Sequence, residues 1–429
     1  MTSRARGFLE LPCASKEIQP ACLYLSGHPG KPTSSGSTSL GSYTRFTEIP
    51  LLEFARNLFH RRTENPGLAF SRPLVVLQSD DWGRVGVRDK EGYERLRSAG
   101  LRLGEHSYDL YTLETAADVA LLASLLRSHH DSTGRSPCLV MNFCPANLDF
   151  GKMRQQGFKK VQLIPLAQGL PGRWSRPGLL EAYAAGVQQG VFYPAVHGLT
   201  HFCPVAVENA MAQSRERAQL LRLLWDAETP FIYWRMPWIG YEYWQPEKPH
   251  AGFVPAERQM MLVRQACDHL SALFGTKSSS ACAPGYRFNR DTIRAWSACG
   301  IRVAQNGTDN GLKAPYIDDL GVLHLYRTID LEPSQKEVDL EKYLQVAAVC
   351  FSRGLPFIIS IHSINFQSSL KDFRTSSLAT LDALLKALES RYPELLYVND
   401  NDVRVIATQG RSPGSNEKAV ISVTACVVQ

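Results

Sequence analysis

Short apolar runs recur along the chain, and amphipathic stretches separate them. Residues 74–78 read LVVLQ, a run typical of a strand buried on both faces. Similar runs lie at residues 138–141, 161–164, 190–195, 301–304, 357–361 and 396–398. Stretches with helical periodicity lie between several of them, at residues 116–129, 215–226, 256–274, 290–299, 339–353 and 377–391. The alternation predicts βα units in a parallel sheet, and about seven units favour a closed or nearly closed barrel.

Three segments depart from this alternation. Residues 23–43 are rich in Ser, Gly and Pro, so residues 1–45 are predicted to be a disordered extension before a barrel at residues 46–408. Residues 233–249 form an aromatic and Pro-rich stretch, called the aromatic insertion below, that is typical of a loop or lid. Residues 409–429 are a tail whose apolar end could form a strand but has no evident partner, and the tail is left unassigned.

Charge and cysteine usage narrow the classes of function. The formal net charge of +6 is modest for 429 residues and the basic residues are scattered, so we expect no nucleic-acid partner. No run of about 18 apolar residues occurs, so no membrane span is expected. The ten Cys include no C-x-x-C pair, and no secretory signal is evident near the N-terminus. We therefore expect reduced thiols and a cytoplasmic location.

Two adjacent carboxylates follow the first predicted strand, in the sequence Ser79-Asp80-Asp81-Trp82-Gly83. Carboxylates at the end of a buried strand are costly unless they are solvated, paired or bound to a cation. Neighbouring side chains diverge in an extended segment, so one Asp can hold a metal ion while the other faces a substrate. The same residues are also typical of an ordinary turn, and the pair alone leaves both interpretations open.

Two histidines, His197 and His201, follow another predicted strand. At positions i and i+4 they are predicted to lie on one face of a helical turn, where both imidazoles can bind one metal ion. Two neutral imidazoles and one carboxylate, with positions left for water, suit a catalytic metal site.

A third signal is His362, which follows the strand predicted at residues 357–361. A histidine there can protonate a leaving amine, because its ordinary pKa lies near neutral pH. The alternative is a buried histidine that donates to a neighbouring carbonyl group.

In this order, the three motifs resemble those of the polysaccharide deacetylases, the NodB-homology or carbohydrate esterase family 4 group, over about residues 72–408. The chain is most similar to a bacterial subgroup with the motifs Ser-Asp-Asp-Trp-Gly and His-Gly-x-x-His. The resemblance implies a distorted (β/α)7 barrel, in agreement with the count of βα units. It also implies that Asp80 is the catalytic base, that Asp81, His197 and His201 bind a metal ion, and that His362 is the general acid.

The activity that the resemblance implies is metal-dependent hydrolysis of the acetyl group of an N- or O-acetylated sugar. Water activated at the metal ion attacks the acetyl carbonyl while Asp80 takes its proton, and His362 protonates the departing nitrogen. Zinc is the expected ion, and iron, cobalt and nickel also suit the ligands. Because no export signal is evident, we expect a polysaccharide or a lipid-linked or nucleotide-linked sugar precursor as substrate.

The third family motif, Arg-x-Pro-Tyr, whose Arg orients the catalytic Asp, is altered. The nearest segment places Cys282 at the Arg position and Gly285 at the Tyr position. Tyr286 and Arg287 are candidate replacements, although the segment equally fits a Pro-Gly turn after a strand.

The fourth family motif, an Asp that tunes the acid His, has no clear counterpart. Candidates are Asp309, after the strand predicted at residues 301–304, and Arg327 or Glu332 further along. Further candidates for the pocket are Asn142 and Asn147. Trp82 and the aromatic insertion carry rings that can stack on sugars, or that form a small satellite core instead.

Two other functions stay open. The metal chemistry also suits hydrolysis of a small cyclic amide, as in allantoinase-like members of the superfamily. The altered Arg motif fits a non-catalytic sugar-binding barrel, whereas the presence of both Asp residues and all three His residues argues against one.

Overall fold

The computed structural model describes residues 67–247, 251–307, 312–411 and 421–426. The predicted N-terminal extension at residues 1–45 and the candidate residue Asp309 lie outside these ranges, as do residues 46–66. The described residues from Gly67 onward cluster into one compact unit.

Strands and helices alternate through this unit. The strands are β1 (Gly67–Phe70), β2 (Leu74–Trp82), β3 (Leu139–Phe143), β4 (Ala146–Leu148), β5 (Leu163–Pro165), β6 (Phe192–Val196), β7 (Trp244–Gln245), β8 (Gly252–Phe253), β9 (Ser280–Cys282), β10 (Val303–Asn306), β11 (Tyr316–Ile317), β12 (Leu323–Tyr326), β13 (Ile329–Asp330), β14 (Phe357–His362), β15 (Leu396–Tyr397) and β16 (Val423–Cys426). The helices are α1 (Lys90–Ser98), α2 (Ala116–Arg127), α3 (Phe150–Gln155), α4 (Leu179–Gln188), α5 (Pro204–Gln213), α6 (Arg215–Asp226), α7 (Ala256–Phe274), α8 (Arg290–Ala298), α9 (Leu340–Ser352), α10 (Arg374–Arg391) and α11 (Asp400–Gln409).

The main sheet has the strand order β11-β12-β10-β9-β6-β3-β2-β14-β13, and β15 pairs with the start of β2. All these pairs are parallel except β11 with β12. The carboxyl ends of the parallel strands therefore lie at one edge, and the predicted α/β architecture with a parallel sheet is confirmed. One predicted strand is wrong in its place: the run at 161–164 contributes to β5, which pairs antiparallel with β4 outside the main sheet.

The segment from Leu323 to Asp330 links the two ends of the strand order. Its first half, β12, pairs with β10, and its second half, β13, pairs with β14. At the change of partner, the Arg327 amide donates to the Asn306 carbonyl at 3.1 Å and the Thr328 amide to the Ile358 carbonyl at 2.9 Å. The sheet therefore curls, and Arg327 lies at the carboxyl edge between β10 and β14.

The two faces of β2 pack in two different hydrophobic clusters. Val75 and Leu77 join the large core under the surrounding helices, whereas Leu74 and Val76 pack in a second cluster with Ile406 of α11. Because side chains alternate along a strand, the next residues on the α11 side are polar, Gln78 and then Asp80. The interior thus changes from apolar to polar toward the carboxyl edge.

The C-terminal tail supplies a strand. Residues Val423–Cys426 form β16, which pairs antiparallel with β1, and Ile421 is buried in the α11 cluster. Within the described ranges, none of the helices combines the length and the apolar character that a membrane crossing requires.

Candidate active site

Asp80, at the carboxyl end of β2, is held by a buried arginine. Arg327 donates from Nη1 to Asp80 Oδ2 at 2.7 Å and from Nη2 to Oδ1 at 2.6 Å, and Asn142 Nδ2 donates to Oδ1 at 2.7 Å. Burial raises the pKa of Asp80, but the Arg327 guanidinium outweighs it and holds that pKa well below its usual range. Asp80 is therefore an ionised carboxylate with a fixed orientation.

The guanidinium of Arg327 donates hydrogen bonds to several side chains. Besides Asp80, it donates to the Gln78 side chain at 3.0 Å, to the Ser360 hydroxyl at 2.9 Å and to the Tyr286 hydroxyl at 2.6 Å. The position that the third family motif gives to Arg is filled by Cys282, whose sulfur lies 3.6 Å from Arg327 Nη2. The guanidinium thus reaches Asp80 from the segment between β12 and β13.

Asp81 diverges from Asp80 because the backbone turns between them. The register of β2 against β3 shifts between Ser79 and Trp82, and Asp81 has a φ of 76°, so the segment is not simply extended as predicted. Arg84 Nη2 donates to Asp81 Oδ2 at 2.7 Å. Burial raises the pKa of Asp81, but the nearby Arg84 and His201 outweigh burial and lower the pKa from its usual value to about 2. Asp81 is also ionised.

Asp81 Oδ1 faces two histidine nitrogens. His201 Nε2 lies 3.3 Å and His197 Nε2 3.6 Å from this oxygen, which is buried and has no hydrogen-bond partner among the described residues. His197 Nδ1 lies 2.9 Å from the Cys282 carbonyl, so Nδ1 carries the proton and Nε2 has an available lone pair. Burial lowers the pKa of both histidines and favours the neutral form.

The loop that carries the histidines is not the helical turn that the i, i+4 spacing predicted. Residues 197–203 have no helical assignment, and Gly198 and His201 have φ values of 69° and 75°. These two left-handed residues reverse the loop and bring the imidazole rings within 5.1 Å, centroid to centroid. The side chains therefore converge through loop geometry.

The Asp81, His197 and His201 set fits a divalent cation. One ligand atom from each lies within 4.8 Å of the others, and all three residues are buried. Neutral imidazole and ionised carboxylate are the states that a metal ion requires, and the unpartnered Asp81 Oδ1 points at both nitrogens. A second grouping, Asp80, His197 and Cys282, meets the same distance criterion. It suits a cation less, because Arg327 occupies Asp80 and burial raises the pKa of the Cys282 thiol.

His362 lies opposite Asp80 and is bound by Glu332. His362 Nδ1 lies 2.6 Å from Glu332 Oε1, and its Nε2 lies 4.0 Å from Asp80 Oδ2. Asn365 Nδ2 donates to the other Glu332 oxygen at 2.6 Å. Burial lowers the pKa of His362, but Glu332 and Asp80 raise it to about 10. The ring is therefore protonated at neutral pH.

Backbone strain concentrates at this site. The described non-glycine residues with positive φ are Asp81, His201, Tyr286, Phe158 and Glu228, and the first three belong to the site. Such conformations cost about 1–3 kcal/mol each and persist only where the surroundings enforce them. The strained loops therefore have to be held by specific contacts.

The remaining residues that were predicted for the site differ in what they contact. Tyr286 accepts a hydrogen bond from Arg327, whereas the Arg287 guanidinium lies over the Trp244 ring, 5.1 Å from its centroid. Asn147 accepts from the Val85 amide at 3.0 Å and donates to the Gly83 carbonyl at 2.9 Å, so it fixes the turn after Asp81.

Trp82 is not available to a sugar. Its ring is 0% exposed, stacks on Phe366 at 5.9 Å and lies edge-on to Tyr183 at 6.2 Å. Its Nε1 donates to Ser79 Oγ at 2.8 Å. Trp82 packs in the core behind the site. The sequence made it a pocket candidate because it follows two Asp residues, and the sequence does not reveal which way its side chain points.

Sequence reasoning missed Arg84 and Glu242. Arg84 stands three residues after Asp81, and its guanidinium lies 4.2 Å from the Tyr111 ring centroid and 4.3 Å from that of Tyr233. The i, i+3 charge pair was a local signal for Arg84. Glu242 contacts the histidine loop from the aromatic insertion, and nothing in its neighbouring residues indicates this.

No family model matches the chain, and no curated protein matches it. Among solved structures, a putative polysaccharide deacetylase from Mycobacterium smegmatis is 9% identical over 78% of this chain and 90% of that chain, with a TM-score of 0.42. The family 4 carbohydrate esterase from Streptomyces lividans in complex with acetate is 12% identical over 76% of this chain and 92% of that chain, with a TM-score of 0.30. The 4-alpha-glucanotransferase from Thermococcus litoralis is 10% identical over 76% of this chain and 39% of that chain, with a TM-score of 0.40. Similarity at this level transfers no activity, so a function has to be argued from the site.

Proposed function

We propose that the chain is a divalent-metal-dependent hydrolase that removes an acetyl group from an N- or O-acetylated sugar. The observation that supports this most directly is that two adjacent carboxylates make different contacts. Asp80 is bound by Arg327 and lies 4.0 Å from His362, whereas Asp81 turns toward two imidazoles an oxygen that has no hydrogen-bond partner in the described part of the chain. These different contacts support proton transfer by Asp80 and cation binding by Asp81.

Asp81, His197 and His201 are the proposed metal ligands. When bound, a divalent ion lowers the pKa of water at the site and stabilises the charge that develops on the acetyl carbonyl oxygen. Zinc is the first expectation, and iron, cobalt and nickel also suit two imidazoles and one carboxylate.

Asp80 and His362 are the proposed proton-transfer pair. Asp80, ionised and oriented by Arg327 and Asn142, accepts a proton from the attacking water as the carbon–oxygen bond forms. His362, kept protonated by Glu332, gives its proton to the sugar nitrogen or oxygen as the bond to the acetyl carbon breaks. The distance of 4.0 Å between His362 Nε2 and Asp80 Oδ2 supports the proposal that both groups act on one reacting centre.

The proposal includes a seven-part barrel. Seven strand positions would form this barrel, in the spatial order β2, β3, β6, β9, β10, the segment of β12 and β13, and β14. The segment of β12 and β13 supports closure of the barrel, because it pairs with β10 and with β14. Each proposed catalytic or metal-binding residue lies at or just past a strand's carboxyl end, where barrel enzymes carry their active sites.

A cytoplasmic precursor sugar is the proposed substrate class. The cysteines whose side chains are described are all free, which favours a reducing compartment. The non-catalytic alternative drew its support from the altered Arg motif, and the Arg327–Asp80 pair weakens that support. Hydrolysis of a small cyclic amide stays an alternative that a substrate panel separates.

Metal content is the first test. We expect about one equivalent of metal in the purified protein after dialysis against metal-free buffer, and its loss in Asp81→Ala and His197→Ala. Asp80→Asn should keep the metal and lose acetate release from a panel of N- and O-acetylated sugars. A matched control is Asp118→Asn, a buried Asp bound by Arg374 at 2.7 Å, which should keep both. A wild-type protein that binds no zinc, cobalt or iron after reconstitution would contradict the proposal.

A further inference from the structure

The aromatic insertion contributes a buried carboxylate to the histidine loop. Glu242 is 0% exposed. Its Oε2 accepts from the Thr200 amide at 2.8 Å, from the Thr200 hydroxyl at 3.0 Å and from the His201 amide at 3.2 Å. In the other direction, the Glu242 amide donates to the His201 carbonyl at 3.1 Å. Four hydrogen bonds thus join one glutamate to two consecutive residues of the loop.

These bonds lie where the loop is strained. His201 has a φ of 75°, a left-handed conformation that is unfavourable for an L residue. Glu242 binds both the amide and the carbonyl of that residue, so it fixes the two peptide groups that flank the strained angle. Gly198 is matched to the same carboxylate, because a Cβ there would lie 3.0 Å from Glu242 Oε2.

The second oxygen of Glu242 makes the arrangement costly. Oε1 is buried and has no hydrogen-bond partner among the described residues. An unpaired buried acceptor is not compensated for the water it has lost, so the contacts of Oε2 have to offset a penalty that an apolar residue would not carry. A packing role alone gives no reason for a carboxylate at this position.

We propose that Glu242 is a positioning residue of the metal site. It holds the His201 backbone so that His201 Nε2 points at Asp81 Oδ1, 3.3 Å away. The aromatic insertion, predicted to be a loop or lid, is in this respect part of the scaffold of the site. The inference rests on the proposed function, because it needs Asp81, His197 and His201 to bind a metal ion.

Cobalt binding to the full chain tests this role. The affinity is measured by competition with a chelator, and the visible absorption bands of the bound ion report its ligand geometry. We expect Glu242→Ala to weaken the affinity about 10–100-fold, the range for residues that orient metal ligands, and to change the bands. Glu242→Gln keeps an oxygen for the same donors, so it should lose less affinity while still shifting the bands.

Glu228 supplies the matched control. It is also buried, at 4% exposure, and it accepts from a backbone amide, that of Arg173 at 2.8 Å. Glu228→Gln should keep the wild-type affinity and bands. If Glu242→Ala does not fold, Glu242→Gln against Glu228→Gln carries the test.

The outcomes separate this inference from the proposed function. Wild-type affinity and bands in every folded Glu242 variant would overturn the role of Glu242 alone. Weakened cobalt binding in those variants, with a wild-type protein inactive on all acetylated sugars, would support the role and overturn the deacetylase function. A wild-type protein that binds no cobalt would overturn both.

Discussion

The Arg327–Asp80 ion pair is enclosed, with side chains 0% and 4% exposed. A buried pair offsets the cost of its desolvation only when its geometry is good and its other polar atoms are bound. Two parallel N–H···O bonds and the contacts to Gln78, Ser360 and Tyr286 meet that condition. The pair therefore fixes the direction in which Asp80 presents its charge.

Arg327→Lys tests that orientation. Lysine keeps the charge but cannot make two parallel bonds, so Asp80 should lose its fixed orientation. We expect kcat to fall about 100-fold, the effect of misplacing a catalytic group by about 1 Å, with metal content unchanged. Arg287→Lys is the matched control, because Arg287 lies over Trp244; an equal loss in that variant would count against the assignment of Arg327.

Glu332→Gln tests the acid role of His362. Glu332 helps to raise the pKa of His362 to about 10, and the protonated ring is the proposed acid. Without that charge the pKa of His362 falls, the proton leaves at lower pH, and the alkaline limb of the kcat profile should move toward acid pH. The measurement is the pH profile of acetate release. Glu341→Gln, at an exposed position on α9, should leave the limb in place, and an unmoved limb in Glu332→Gln would exclude this role.

At the scale of single elements, the histidine loop depends on backbone that only glycine adopts easily. Gly198 has a φ of 69°, and a Cβ there would meet Glu242 at 3.0 Å and Pro284 at 3.1 Å. Gly190 has a φ of 74° with nothing within 4 Å of its would-be Cβ. The two positions share the strain and differ in the space around them.

Gly198→Ala and Gly190→Ala form a matched pair. Both should lose about 1–2 kcal/mol of unfolding free energy from the left-handed backbone. Gly198→Ala should lose more, and it should also weaken metal binding, because the loop has to move away from Glu242. Urea denaturation and chelator competition measure the two effects; equal stability and unchanged metal affinity in the pair would contradict this account of the loop.

Local signals account for the elements that were predicted well. The helix predicted at 215–226 is α6, with Ser214 as its N-cap, and the helix predicted at 256–274 is α7, with Gly275 as its C-cap at a φ of 70°. The strand β9 is three residues long and β12 four, so neither gives a periodic pattern. β16 pairs with β1, which lies far away in the sequence, and no local pattern reveals such a partner.

Across the whole molecule, the site was predictable where its residues follow strands. Asp80, Asp81, His197 and His362 could be proposed from the sequence because parallel strands deliver their carboxyl ends to one edge. Arg327 and Glu332 were only two candidates among several, because their place depends on a segment that changes strand partner within a few residues. Glu242 was missed, since its role depends on a contact between an insertion and a loop.

Metal binding should stabilise the whole fold if the three ligands converge only in the native chain. At a free zinc concentration 100 times Kd, the gain in unfolding free energy is about 2.7 kcal/mol, which raises Tm by several degrees in a chain of this size. Calorimetry with and without zinc measures the shift, and Asp81→Ala should show none. His324→Ala removes a buried histidine that lies 3.2 Å from Asp318, so it should lower Tm yet keep the full zinc shift. An identical Tm for the wild type with and without zinc would mean that the loops carrying Asp81, His197 and His201 do not assemble a metal site.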